Sequence, residues 1–373
     1  MDNQLIQDFN KLYFSKKQIS RRVFDKDELE NIWKIIELER KNLSNVNNLS
    51  FKELNGYWYN NTEDIVNNCI FIDEANNLEV FNYLSSKIKN TIKKSAEESE
   101  ILYLFSLENI ELIENVRNDI VLIINKNNKI DREFICNLYN VIENKNILNN
   151  EKNEDEYYSY ICKTESGLGN IKTFLEFINN EKNERNNLIK AAIIYFYILD
   201  TKPFLSYNNI LAKLISYTYL LNSGYEVFKY CAVSNLIKQK FKKYNSAMEN
   251  SITSNGDITY FIRFYIEILR KSIEDLNSNL NYKFGKKVIK ELIEKNNIKI
   301  EDRQVKFINS ILISRVNLVT IDNYRKKQNV SYETSRSDLN NLVTLGFLKI
   351  AKIGKRYEYY MNDISTIIDN FEE

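Results

Sequence analysis

The chain has 373 residues, 43% hydrophobic and 28% charged, with a formal net charge of +1. That length suggests two or three domains, and so small a net charge excludes a global field that gathers nucleic acid or membrane, leaving only local patches for such work. There is no histidine, which excludes every mechanism that needs an imidazole base, nucleophile or metal ligand.

The four cysteines, Cys69, Cys136, Cys162 and Cys231, are scattered and form no CxxC pair. Such cysteines read as small core residues, not as ligands or disulfide partners, so no metal site is expected. The opening MDNQLIQDFN has neither a basic nor an apolar signal region. No apolar run approaches the roughly 20 residues of a membrane helix. A reduced, cytoplasmic protein without a membrane partner is the expectation. One proline and 8 glycines favour long helices and few tight turns.

In chain order, residues 26–42 place Leu29, Ile32, Trp33, Ile36 and Leu38 near a helical period, with acids early and bases late. Residues 43–80 are Asn-rich and mixed, with one short apolar run at CIFIDEANN. Helical spacing returns from Leu84 to Ile123, and residues 129–146 form an amphipathic helix with Phe134, Leu138 and Ile142 on one face. NNEKNEDEYYSY is a charged loop, and GLGNIKTFLEFINN leads into another helix. NERNNLIKAAIIYFYILD is apolar almost all round, the pattern of a buried central helix. The sole proline follows at Pro203. Then comes a second apolar helix, NNILAKLISYTYLL, stopped at Asn222-Ser223-Gly224. Helical segments continue through residues 233–251 and 257–277, and residues 283–297 read as a linking helix.

The remainder changes character. Helix, short turn, helix, an NVS turn, helix, Gly346 and a two-strand ribbon turning at Gly354 is the order of a winged helix-turn-helix. Ser331 and Thr334 open its third helix, with Leu339 and Leu342 facing inward. From Arg303 to Met361 there are 11 Lys and Arg against 4 Asp and Glu, a local +7. DNA binding through this module predicts Tyr332, Glu333, Ser335, Arg336 and Asn340 on the outer side of the third helix, with Lys349, Lys352, Lys355 and Arg356 on the wing. The plainer alternative is a winged helix used for protein or dimer contacts.

KPFLSYNNILAK, from Lys202 to Lys213, resembles the signature of the Fic (Fido) family, H-P-F-x-[D/E]-G-N-G-R-x-x-R. The flanks agree. IKAAIIYFYILDTKPF resembles the family's apolar lead-in helix, and AVSNLIKQKFKKYNSAMENSITSNGDITYFIRFYIEIL its following helices. ELENIWKIIELERK and SAEESEILYLFSLENIEL resemble the N-terminal region of long bacterial members, which commonly carry a C-terminal winged helix. The resemblance spans residues 26–361. It implies a mainly α fold: an N-terminal helical region (1–124) with a vestigial inhibitory helix near 95–110, a Fido domain (125–277), and a linking helix with a winged helix-turn-helix (278–373). It also explains Pro203, which ends a helix at the loop that wraps nucleotide phosphates in the family, where backbone N–H groups and the next helix N-terminus form an anion site.

The motif is degenerate. Lys202 stands where the resemblance puts the general-base histidine, and Ser206 where it puts the acidic Mg²⁺ ligand. A lysine of ordinary pKa near 10.4 is a poor base, and an uncharged hydroxyl is a weak ligand for a hard cation. The two glycines are Tyr207 and Asn209, and the arginines are Ile210 and Lys213. Only Pro203, Phe204 and Asn208 remain. The inhibitory S-S-x-I-E-G aligns with Glu98 to Tyr103, keeping Ser99 and replacing the glutamate by Leu102, so an apolar Leu102–Ile210 contact is expected in place of an ion pair. Lys202 reads either as a rewired catalytic or nucleotide-binding group or, more simply, as a partly exposed helix-end lysine. Asn208 and Asn209 read either as retained phosphate contacts or as loop caps. The implied function is a degenerate Fic protein that binds DNA or a protein, with a homodimer open and no cofactor. The alternative is a divergent transferase that uses ATP and Mg²⁺.

Overall fold

The computed structural model describes residues 3–44, 56–76, 85–108, 110–125, 129–143, 161–162, 165–180, 186–314, 318–353, 356–362 and 364–372. Contacts divide the chain into two units. The first takes Met1–Glu74, Glu97–Phe228 and Ala232–Arg270, and the second Ala75–Ala96, Lys229–Cys231 and Lys271–Glu373. The protein is mainly helical. No described helix is long and apolar enough to cross a membrane.

The first unit begins with α1 (Asn3–Lys11), α2 (Lys16–Ile19), α3 (Lys26–Leu43) and α4 (Glu63–Ala75). α4 lies in the stretch whose sequence reads as mixed. Its buried side chains Ile65, Asn68, Cys69 and Ile72 keep a helical spacing that the asparagine-rich flanks conceal. α3 is capped by Asp25, whose side chain accepts from the Glu28 N–H at 2.8 Å, and it buries Ile32, Trp33 and Ile36. Arg40 ends that stripe at 2% exposure. Its guanidinium donates to Asn10, to the Tyr260 hydroxyl at 2.8 Å and to the Phe9 carbonyl, and lies over the Tyr13 ring. The Tyr13 hydroxyl donates to Asp257 at 2.9 Å. A buried charge is tolerable here because each donor finds an acceptor. Trp58 bridges to the backbone beside Gly256, whose φ of +86° and approach to the Gly56 carbonyl leave no room for a side chain.

α5 (Ser86–Leu107) has residues in both units. α6 (Glu114–Asn125), α7 (Arg132–Ile142) and α8 (Glu165–Asn179) follow, then α9 (Asn187–Thr201) and α10 (Asn208–Asn222). These last two are the centre of the unit. Every residue from Leu188 to Leu199 and from Ile210 to Leu221 is buried. Each large side chain so buried contributes about 1.5–3 kcal/mol against leaving it in water. Small residues let the two helices meet closely, with the Ser216 hydroxyl donating to the Ala191 carbonyl at 2.8 Å. α11 (Val233–Gln239), α12 (Phe241–Thr253) and the start of α13 (Thr259–Lys295) complete this unit. Tyr195 of α9 meets Phe261 and Tyr265 of α13 edge-on, at 5.4 and 5.2 Å.

α13 is one helix of 37 residues, so the expected linking helix is continuous with the one before it, and the 277/278 boundary falls inside it. Ile273, Leu276 and Leu280 stay buried across the join, so the helix keeps an apolar stripe to pack there, and no proline removes a backbone bond.

In the second unit α14 (Asp302–Ser314), β1 (Leu318–Val319), α15 (Ile321–Gln328), α16 (Tyr332–Thr344), β2 (Leu348–Ile353), β3 (Arg356–Met361) and α17 (Ile364–Glu372) follow in order. The strands form an antiparallel sheet in the order β1-β3-β2, with Leu348 opposite Met361 and Ile350 opposite Tyr359. Asp338 locks the three helices together. It is 5% exposed and takes a two-pronged pair from Arg303 at 2.8 and 3.0 Å and a hydroxyl from Tyr324 at 2.9 Å.

Candidate functional site

The loop between α9 and α10 is built by its backbone. Lys202 ends α9 in the left-handed region, at φ 45°, and its N–H still donates to the Ile198 carbonyl at 3.0 Å. Its side chain is exposed, the plainer of the two readings. Pro203 and Phe204 are buried, Phe204 completely. Phe204 bridges to Cys162, and the Leu205 N–H donates to the Ile161 carbonyl. Asn208 closes the loop on itself. Its Oδ1 accepts from the Phe204 N–H at 3.1 Å, and its Nδ2 donates to the Phe204 carbonyl at 2.9 Å. That is loop capping, the work of an asparagine side chain next to its own turn.

Tyr207 also has a positive φ, 62°, and its ring stands edge-on to Tyr139 at 5.4 Å. The phenol therefore takes up space beside the N-terminus of α10. Ser206 is exposed. Asn209 donates to Glu108 at 2.6 Å, which brings a carboxylate to the first turn of α10. An anion already attracted to that helix end by the dipole competes with a phosphate for it.

Lys213 lies one turn further in and is 1% exposed. Its Nζ is 3.6 Å from Glu100 Oε1, 3.5 Å from the Tyr265 hydroxyl, and 5.0 Å from the Tyr265 ring centre. Glu100, on α5, is 4% exposed. Its second oxygen accepts the Ser234 N–H and its first the Ser234 hydroxyl, both at 2.7 Å. Burial first, then the neighbouring Tyr244, Tyr265 and Glu100, hold the Tyr195 phenol far above its usual range, so it stays neutral.

This corrects the sequence reading of α5. Leu102 is 53% exposed while Ile210 is fully buried. The expected apolar Leu102–Ile210 contact gives way to a buried ion pair from Glu100, two residues earlier and one helical face away. Ser99 is half-buried. The signal was present in outline: Glu100 sits four residues after Ala96 and four before Leu104, both buried.

The described residues hold no group of three or more His, Cys, Asp or Glu that could bind a metal ion. None of the four cysteines is in a disulfide, and all are buried. Burial, helped by Asp73, pushes the Cys69 thiol up to about 12, and burial raises Cys162 to about 11, so neither is a nucleophile at neutral pH.

On α16, Tyr332, Glu333, Arg336 and Asn340 are exposed, and Lys349 and Lys352 are exposed on β2. Ser335 is not on this surface. It is fully buried and its hydroxyl donates to the Ser331 carbonyl at 2.7 Å, because it follows the cap by one turn on the inward face. Lys355 lies outside the described residues, as does the side chain of Arg356. Lys352 lies 5.9 Å from the Tyr357 ring centre. Sequence reasoning missed Arg303 and Tyr324 as partners of Asp338, since they come from two other helices.

No protein-family model matches the chain, and no curated protein matches it. Among solved structures it is similar to a Fic family protein from Desulfovibrio desulfuricans G20, with a TM-score of 0.40 and 14% identity, over 82% of this chain and 97% of that one.

Proposed function

We propose that this chain is a degenerate Fic protein that has given up nucleotide transfer and acts as a regulator on DNA, using residues 302–361 as a winged helix. The Lys213–Glu100 pair carries the first half of the reading. Ile210, where the family resemblance puts the phosphate-gripping arginine, is uncharged and fully buried, and Lys213, at the motif's second arginine, is enclosed and already neutralised by a carboxylate. Freeing it for a nucleotide leaves Glu100 buried and unpaired, at a cost of several kcal/mol. The rest of the loop agrees. It has no base, since Lys202 is exposed and histidine is absent. Ser206 offers no charge for Mg²⁺, and Glu108 repels phosphate at the helix end. No cofactor is proposed. The DNA half rests on the exposed α16 face beside lysines in a stretch of local +7.

The deciding experiment incubates the pure protein with labelled ATP, CTP, GTP and UTP plus Mg²⁺, alone and with cell lysate, beside the Lys202→Ala variant. No protein label in any lane, wild type and variant alike, is the expected outcome. Label that disappears in Lys202→Ala overturns the reading in favour of a rewired transferase.

A further inference from the structure

α16 exposes very few charges, and their signs are specific. Asp338, one of its two acids, is withdrawn into the pair with Arg303 and Tyr324. Glu333 and Arg336 remain exposed, and neither is held in an ion pair among the described residues. Three residues apart, they lie on one face of the helix, displaced by about 4.5 Å along its axis at 1.5 Å per residue. That is slightly more than one step of B-DNA, about 3.4 Å.

A free carboxylate at the head of a DNA-facing helix is repelled by phosphates. It is compatible with binding only where it meets a hydrogen-bond donor, and in the major groove the donors are the amino groups of cytosine and adenine. Adenine is best read by an amide that presents both its ends. The two exposed amides of α16 are already engaged within the protein: Asn340 Oδ1 accepts from the Tyr359 hydroxyl at 3.0 Å, and Asn341 Nδ2 donates to Gln304 at 3.4 Å, so neither is held by the helix alone for a two-ended pair with adenine. Arg336 offers the fork that fits guanine O6 and N7.

We infer that, within the DNA-binding reading above, Glu333 and Arg336 together read neighbouring G·C pairs, Glu333 accepting from cytosine N4 and Arg336 donating to guanine. Lys349 and Lys352, exposed on β2, are placed to meet phosphates and carry no base preference.

The test is selection of bound sites from random duplex DNA by the full chain, with Glu333→Gln and Arg336→Ala beside it. The wild type is expected to enrich C and G at neighbouring positions. Glu333→Gln exchanges the C preference for A, because a glutamine pairs with adenine N6 and N7. Arg336→Ala loses about tenfold in discrimination at the G position alone. Selected sites that lack C there, or that are the same for wild type and Glu333→Gln, overturn this inference and leave DNA binding standing. No duplex retained even at low salt overturns the DNA-binding reading itself, and this inference with it. Circular dichroism of both variants separates lost readout from lost folding.

Discussion

A buried lysine and a buried glutamate cannot be judged one at a time. Lys213 and Glu100 are each almost fully enclosed, so each is costly without the other. Glu100→Ala leaves the ammonium enclosed and strips the Ser234 N–H of its acceptor. We expect a loss of about 3–5 kcal/mol, read as a shifted urea midpoint. Glu100→Leu combined with Lys213→Met replaces the pair by apolar side chains of similar volume, and the double variant is expected to be more stable than either single one. If the double loses as much as the two singles summed, the pair is not a coupled unit. The same logic explains the loop. Asn208 and Tyr207 stand at positions where the resemblance puts phosphate-binding residues, yet their bonds and contacts go to Phe204 and Tyr139.

At the scale of elements, two devices position the candidate surfaces. In the first unit, helices apolar all round meet through small residues and end in a loop whose backbone is fixed by a proline and an asparagine. In the second, α14, α15 and α16 are joined by Asp338 rather than by apolar packing alone. Asp338→Ala is expected to cost about 2–3 kcal/mol, toward the low side of a broken buried pair because Arg303 keeps some contact with water. Hydrogen exchange checks it: amides of α15 and α16 should exchange faster, while those of α9 and α10 stay protected. Uniform deprotection in both units counts against a local clamp. The elements also mark where periodicity alone misleads. α4 hides in an asparagine-rich stretch, and the segments 257–277 and 283–297, which read as two elements, are one helix, α13.

For the whole molecule, the net charge of +1 conceals a division. Residues 303–361 carry +7, so the remaining chain carries 1 − 7 = −6. Association with DNA in the proposed mode is therefore driven by a local field inside a nearly neutral protein. With about four phosphates neutralised, affinity is expected to fall about 10²-fold between 50 and 200 mM salt. Lys349→Ala and Lys352→Ala together should flatten that dependence without changing the selected sequence. Binding that is insensitive to salt would exclude phosphate contacts as its source.

The sequence by itself determined what depends on residue type and local period. The lack of histidine removes imidazole chemistry whatever the fold. The apolar runs of α9 and α10 announce buried helices, because an all-round apolar pattern has no other stable place. Pro203 marks the turn between them, and the basic stretch marks where anions are attracted. Only the tertiary structure decided which charges are spent. Glu100 rather than Leu102 faces the core, Ser335 points inward, and Asp338 leaves the α16 surface for Arg303. Each of these turns on a partner from a distant part of the chain. A helical period fixes which residues share a face, but the neighbour that face meets is chosen by packing, and for a charged group that neighbour decides whether it is a site or part of the core.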